Sequence, residues 1–467
     1  MEYADFLKTK QMAFHESGFD YPVEKINAKL FDWQKDIVHW AIKKGKAALF
    51  EDCGLGKTPQ QLEYARIVHE RTNKDVLIVA PLAVSQQTKR EGQKFCIDVN
   101  IARSQIEVKR GINVTNYEIL EHFDAAAFSG IVLDESSILK HQSSKTRQYL
   151  TDTWKMQYQL ACTATPAPND FMELGNHSDF FGIMTQPEML STFFVHDGGD
   201  TAKWRLKGHA EDKFWEWIAS WACVLQNPSD LGYEQDGFEL PELKIHEHIV
   251  KAENMTDGNG QFVFISDVIK QTLNDRRAAR RNSIDGRTDE AAKIAYEALR
   301  GGRQVLIWCD LNTESELLAK KIDGSVEVRG SDSSDYKTES MLGFSSGDVK
   351  CLISKPSICG WGMNWQNCAD MIFVGLSDSF EAYYQAVRRC WRFGQKNPVN
   401  VHIVISENEG AVKQNIERKQ KDAQRLMDEL VEHTKKILYG DIRNTVRISE
   451  SYNAFEKIIL PEWLRSA

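Results

Sequence analysis

Residues 46–73 read as a strand, a glycine-rich turn and a helix in immediate succession, and this unit limits the fold more than any other feature. Ala47-Ala48-Leu49-Phe50 is a short apolar run of buried-strand character. Cys53-Gly54-Leu55-Gly56-Lys57-Thr58 then turns the chain. A helical pattern from Thr58 follows, with Pro59 in its first turn, where the missing N–H is harmless. Val76–Pro81 and Gly130–Glu135 are further buried-strand candidates separated by helical stretches. Such alternation predicts a parallel sheet with helices on both faces.

The pattern returns after an interruption. Residues 171–239 crowd aromatic side chains, among them Phe180, Phe193, Trp215, Trp217 and Trp221, with few strand-like runs. They are predicted as a mostly helical insertion. Lys244–Val250, Gln304–Cys309, Lys350–Ser354, Met371–Gly375 and Val399–Ile405 are strand candidates of a second doubly wound unit. Lys413–Leu438 predicts one or two charged amphipathic helices. The predicted class is therefore α/β: a first lobe over 1–170, a helical insertion over 171–239, a second lobe over 240–410, and a C-terminal helical tail over 411–467. A length of 467 residues suits two to four domains.

Composition excludes more than it assigns. A formal net charge of −9 gives no global basic field, so any nucleic-acid contact must be a local patch. Arg276-Arg277-Ala278-Ala279-Arg280-Arg281 is one candidate patch, with a solvated helix face as the alternative. The nine cysteines are scattered without a Cys-x-x-Cys pair, which suits reduced thiols in a cytosolic protein. No apolar run is long enough to span a membrane, and the start MEYADFLKTKQ, which carries acids and lacks an apolar stretch, does not read as a signal peptide. A cytoplasmic location is expected.

The glycine turn is suited to a triphosphate. Gly54 and Gly56 let backbone amides point inward, the following helix N-terminus adds partial positive charge, and Lys57 would neutralise the outer phosphates. The Thr58 hydroxyl would ligate Mg²⁺. The pattern G-x-x-x-x-G-K-[ST] is broken at its first position by Glu51. Ile131-Val132-Leu133-Asp134-Glu135 supplies what such a site still needs: Asp134 to hold Mg²⁺ and Glu135 to polarise the attacking water. Far downstream, Arg389 and Arg392 lie three apart, on one face if that segment is helical.

Taken in order, these segments resemble superfamily-two helicases and translocases of the Swi/Snf branch and their phage-encoded relatives. Glu51–Thr58 resembles motif I, Phe31-Asp32-Trp33-Gln34 the adenine-reading glutamine element, and Ile78-Val79-Ala80-Pro81 motif Ia. Val114–Tyr117 resembles the next nucleic-acid-facing segment, Asp134–Ser137 motif II, and Thr163-Ala164-Thr165-Pro166 with Asn169 motif III. Gly360–Asn364 resembles motif V and Gln385–Gln395 motif VI. The likeness spans roughly residues 30–400. It departs from the family at Ser136-Ser137, where a histidine is usual, at Cys359 in place of glycine, and at Trp391 in place of histidine.

The resemblance implies two RecA-like lobes with ATP between them. It casts Gln34 as a base contact and points Arg389 and Arg392 at the triphosphate across the cleft. It nominates Pro81, Thr115, Gly330, Ser331 and Ser357 as contacts to a nucleic-acid backbone. The expected activity is an ATP-dependent, Mg²⁺-requiring motor on duplex DNA, in a bacterial or phage-infected cell, with a replication or recombination protein as candidate partner. A strand-separating DNA or RNA helicase is one alternative. A nucleic-acid clamp or assembly factor with weak ATPase is another, against which the intact Lys57, Asp134, Glu135, Arg389 and Arg392 argue. Trp361 and Trp365 could stack on bases, but their four-residue spacing fits core positions better. Asp236, Glu242 and Lys244 only faintly mimic a nuclease, and DNA cutting is not expected.

Overall fold

A computed structural model describes residues 16–140, 144–167, 170–197, 200–234, 238–250, 283–360, 363–377, 379–407 and 410–442. The expected arginine patch at 276–281, and Asn169, Asp236, Trp361 and Gly362, lie outside the described residues.

The continuous apolar runs become strands buried on both faces. The chain first forms β1 (Lys46–Glu51), β2 (Asp75–Ala80), β3 (Val99–Ile101), β4 (Ile112–Asn116), β5 (Phe128–Asp134) and β6 (Tyr158–Cys162). A short antiparallel ribbon of β7 (Phe194–Asp197) and β8 (Asp200–Leu206) follows, then β9 (Ala222–Leu225). The first sheet has the order β3-β4-β2-β5-β6-β1-β9. The second is built from β10 (Leu243–Val250), β11 (Val305–Cys309), β12 (Ser325–Glu327), β13 (Cys351–Ser354), β14 (Asp370–Val374) and β15 (Val399–Ser406), in the order β10-β15-β14-β11-β13-β12. Each described pairing within these two sheets is parallel. Two doubly wound α/β lobes result.

Register places the chemistry. Leu49 of β1 and Asp134 of β5 both align with Cys162 of the intervening β6. The glycine turn and the paired acids therefore leave the same sheet edge two strand spacings apart, roughly 10 Å. Carboxyl ends of parallel strands are where open α/β sheets bind ligands.

Two expectations about organisation change. Residues 171–239 do supply the helices Leu174–Phe181, Gln186–Phe193 and Glu211–Trp221, but they also supply the β7–β8 ribbon and β9, which pairs with β1. The stretch is therefore continuous with the first sheet and not a separate helical body. Residues 410–442 form one helix that reaches both lobes. Val412 and Ile416 pack in the core of the second lobe, and Leu430, Val431, Leu438 and Ile442 pack in the cores of the first.

Candidate active site between the two lobes

The glycine turn folds tightly because its glycines take left-handed backbone angles, and close neighbours forbid side chains there. Gly56 has φ +79, and a Cβ would lie 2.5 Å from Gln34 Nε2. Gly54 has φ +94, and a Cβ would lie 2.9 Å from the backbone nitrogen of Phe393, in the second lobe. The second lobe thus already touches the turn. Lys57 Nζ donates to the Glu51 and Asp52 carbonyls at 2.7 and 3.1 Å, so the lysine rests on its own loop.

Gln34 makes two hydrogen bonds within the protein. Its Nε2 donates to the Leu55 carbonyl at 2.9 Å, and its Oε1 accepts from the Phe31 N–H at 3.1 Å. The side chain braces the turn and lines the cavity beside it. The surface near it is aromatic: Phe238 stacks on Phe393 with centroids 4.6 Å apart, and Phe31 packs edge-on against Phe238 at 5.3 Å.

Asp134 accepts from Gln61 Nε2 at 2.7 Å, and its backbone carbonyl accepts from the Tyr117 hydroxyl at 2.7 Å. Glu135 sits at φ +55, and its Oε2 is buried without a hydrogen-bond partner. Burial pushes both carboxyls above their usual range, and the Asp134 charge pushes Glu135 further. Lys57 and Arg389 pull both back down. A lone carboxylate oxygen facing a cavity, close to cations, is the state a general base needs.

From the second lobe, Arg389 donates to the Gln385 carbonyl at 3.0 Å, to Gln385 Oε1 at 2.8 Å and to the Met363 carbonyl at 3.3 Å. Arg392 donates to the same Met363 carbonyl at 3.4 Å. Burial, with Arg389 beside it, lowers Arg392 to about 10, which leaves it charged at neutral pH. One cavity of about 310 Å³ is lined by Gln34, Gly54, Gly56, Lys57, Thr58, Asp134, Glu135, Arg389 and Arg392. All the residues nominated for ATP and Mg²⁺ are thus brought together.

Three features escaped the sequence reading. Arg388 Nη2 donates across the lobes to Asp52 Oδ2 at 2.6 Å and to the Cys53 carbonyl at 2.5 Å. Tyr384 donates its hydroxyl to Asp52 Oδ1. Second, Lys140 pairs with Glu381 of the other lobe, and Glu381 also accepts from Thr165 Oγ1 at 3.5 Å. Third, Glu51, which breaks the glycine pattern, is fully buried and accepts from Gln60 Nε2 at 2.8 Å. Burial raises its carboxyl to about 7, against the pull of Lys57 and Gln60.

A second interlobe cavity of about 670 Å³ is lined by Pro81, Thr115, Gly330 and Ser357, four of the five residues nominated for a backbone track. Ser331 is exposed and does not line it. Trp365 is fully buried against Trp308 and Phe344, a core position with no face for a base. Glu242 and Lys244 pair with each other at 3.4 Å on an exposed edge.

An SNF2-related domain matches residues 33–188, and a helicase conserved C-terminal domain matches residues 290–394. The first match falls within the first lobe and the second within the second lobe. It is 25% identical to human DNA annealing helicase and endonuclease ZRANB3 over 83% of this chain and 39% of that protein. To human Chromodomain-helicase-DNA-binding protein 1 it is 22% identical, over 83% of this chain and 26% of that one. The chain thus spans well under half the length of these relatives. A Sulfolobus solfataricus SWI2/SNF2 ATPase core in complex with dsDNA has a TM-score of 0.40 at 18% identity, covering 91% of this chain and 98% of that chain. Both curated relatives named here are human, so the bacterial or phage setting expected from the sequence gains no support from them. No described helix is long and apolar enough to cross a membrane.

Proposed function

We propose that this chain is an ATP-driven translocase on duplex DNA, hydrolysing ATP at the interlobe cavity. The observation that carries the reading is that Lys57, Thr58, Asp134 and Glu135 of the first lobe and Arg389 and Arg392 of the second line one cavity. Among the described residues no cluster of three His, Cys, Asp or Glu side chains is placed to hold a metal. The donor set at the turn, one hydroxyl and one carboxylate, fits Mg²⁺, which keeps several waters and arrives with phosphates. When bound there, Mg²⁺ would neutralise charge on the phosphates. Lys57 leaves its loop carbonyls for the outer phosphates, Glu135 orients the water and takes its proton, and Arg392 with Arg389 stabilises charge on the transferring group. The arginines reach that group only with the lobes together, which ties turnover to lobe movement. Phe31, Phe238 and Phe393 offer a stacking surface for the base at the cavity mouth.

The track is read from the second cavity. Both lobes contribute small or hydroxyl-bearing residues to it, so each can hold a phosphate backbone in turn as the cleft opens and closes. The test is ATPase rate without polymer and with duplex DNA, single-stranded DNA or RNA, beside Lys57→Ala and Glu135→Gln. The expectation is stimulation by duplex DNA and loss of turnover in both variants. Stimulation by RNA alone removes the DNA reading, and unchanged turnover in both variants removes the site. A strand-displacement assay then separates translocation from unwinding.

A further inference from the structure

The residue after the general base is held by a histidine from a distant helix. Ser136 Oγ lies 3.0 Å from His177 Nε2, and both residues are fully buried. The His177 ring packs edge-on against Phe50 of β1 with centroids 5.0 Å apart. Its Nδ1 has no partner. An unpaired buried acceptor is better tolerated than an unpaired buried N–H, so the proton belongs on Nε2 and is donated to Ser136. Burial lowers His177 to about 3, so the ring is neutral. The preceding residue grips the other end of the same turn: Asn176 Nδ2 donates to the Lys140 carbonyl at 2.8 Å. One helix, Leu174–Phe181, thereby clasps the turn Ser136–Lys140 at both ends.

What needs clasping is Glu135. A non-glycine residue at φ +55 is strained and persists only where its surroundings enforce it. Its buried Oε2 has no hydrogen bond to aim it, so the backbone must fix its direction. A polar ring with a single hydrogen bond, packed edge-on against Phe50, is an expensive choice at a fully buried site. An apolar side chain there would serve packing better.

We infer that His177 is a positioning residue: by holding Ser136 it keeps the Glu135 carboxylate aimed into the nucleotide cavity. The inference rests on the ATPase reading above. The experiment compares the full chain with His177→Leu, His177→Gln, Ser136→Ala and the double variant His177→Leu/Ser136→Ala. It measures kcat and KM for ATP with duplex DNA, together with Tm. Misplacing a catalytic group by about an ångström lowers rate by up to roughly 10²-fold. His177→Leu and Ser136→Ala should therefore each lower kcat by about ten- to a hundredfold with KM unchanged. The double variant should be no worse than the worse single. His177→Gln, which keeps an N–H donor, should recover part of the loss. Tm of the double variant should stay near that of the wild type, since both buried polar partners leave together and neither is stranded. Retained kcat in His177→Leu or Ser136→Ala, or losses that multiply in the double variant, overturns the inference while the wild type still turns over. A wild type no faster than Lys57→Ala overturns the ATPase reading itself, and the inference with it.

Discussion

The Asp52–Arg388 contact makes an asymmetric prediction. Arg388 has a side chain only 4% exposed, whereas the Asp52 side chain is 25% exposed. Removing one partner of a buried pair costs roughly 3–5 kcal/mol, mostly because the survivor is stranded. Asp52→Ala strands the arginine. Because Asp52 is partly solvated, and because the Cys53 carbonyl and the Trp391 ring 5.0 Å away remain, the lower end applies: about 3 kcal/mol. Arg388→Met strands only an aspartate that can hydrate and still accepts from Tyr384, so about 1–2 kcal/mol is expected. The double variant should fall short of the sum by about 1–3 kcal/mol. Since the contact bridges the lobes, the loss appears as opening of the cleft. At 1.4 kcal/mol per tenfold, Asp52→Ala shifts that equilibrium by about 10²-fold. Hydrogen exchange of the amides in the glycine turn and in the helix Phe380–Val387 reads this directly. Equal effects of the two single variants, or a coupling below about 0.5 kcal/mol, would refute the reasoning.

Three further outcomes follow from the same geometry. Gly54→Ala would put a methyl 2.9 Å from the Phe393 backbone nitrogen at a φ that disfavours alanine; turnover should fall at least tenfold, with cleft opening visible by small-angle scattering. Glu51 has a folded pKa of about 7, raised from 4.5, so the folded state holds its proton longer than the unfolded chain does. Stability should then be greatest below pH 4.5 for this group, fall by roughly 3 kcal/mol as pH rises to 7, and stay level above; Glu51→Gln should remove that fall in urea titrations at pH 5 and 8. Lys337 lines the second cavity and donates to the Gly330 carbonyl at 2.6 Å; Lys337→Ala should weaken duplex DNA binding and lower the salt slope by about 1, measured by anisotropy.

The sequence exposed what local pattern encodes. Strands β1, β2 and β5 are unbroken apolar runs, and the turn with Lys57 and the acid pair Asp134-Glu135 stand at their ends. Their meeting in one cavity follows from parallel pairing. Strand β6 carries a weaker pattern because Gln159 interrupts its apolar run. That side chain is buried only because its amide reaches the Trp154 and Phe180 carbonyls, each at 3.1 Å. Strand β9 follows the tryptophan-rich helix without a polar gap, so Ala222–Leu225 reads as more helix. Arg388 looks like a neighbour of the expected arginines, and its partner lies 336 residues upstream, beyond any periodicity. His177 gives no signal beside Ser136, since only packing of the helix Leu174–Phe181 against β1 and the turn Ser136–Lys140 brings them together.

The long helix Gly410–Ile442 limits how the cleft can move. At 1.5 Å per residue its 33 residues span about 50 Å, enough to cross both lobes. Its first turns are fixed by Val412 and Ile416 in the second lobe. Its later turns are fixed by Leu430 and Val431, by stacking of His433 on Trp215 at 4.8 Å, and by Leu438 and Ile442 in the first lobe. Gln226 adds a hydrogen bond to Asp428 at 2.9 Å. A helix anchored at both ends resists stretching, because lengthening it breaks backbone hydrogen bonds, yet it tolerates slight bending. Separation of the lobes along its axis is therefore costly, and rotation about it is not. The polar contacts between the lobes that such a rotation would have to release include Arg388 with Asp52 and Lys140 with Glu381, both on the helix Phe380–Val387 or its end. On the proposed function, a strap that resists dissociation, set against a small polar latch that can be released, would confine lobe movement to a hinge that brings Arg389 and Arg392 to the glycine turn and takes them away.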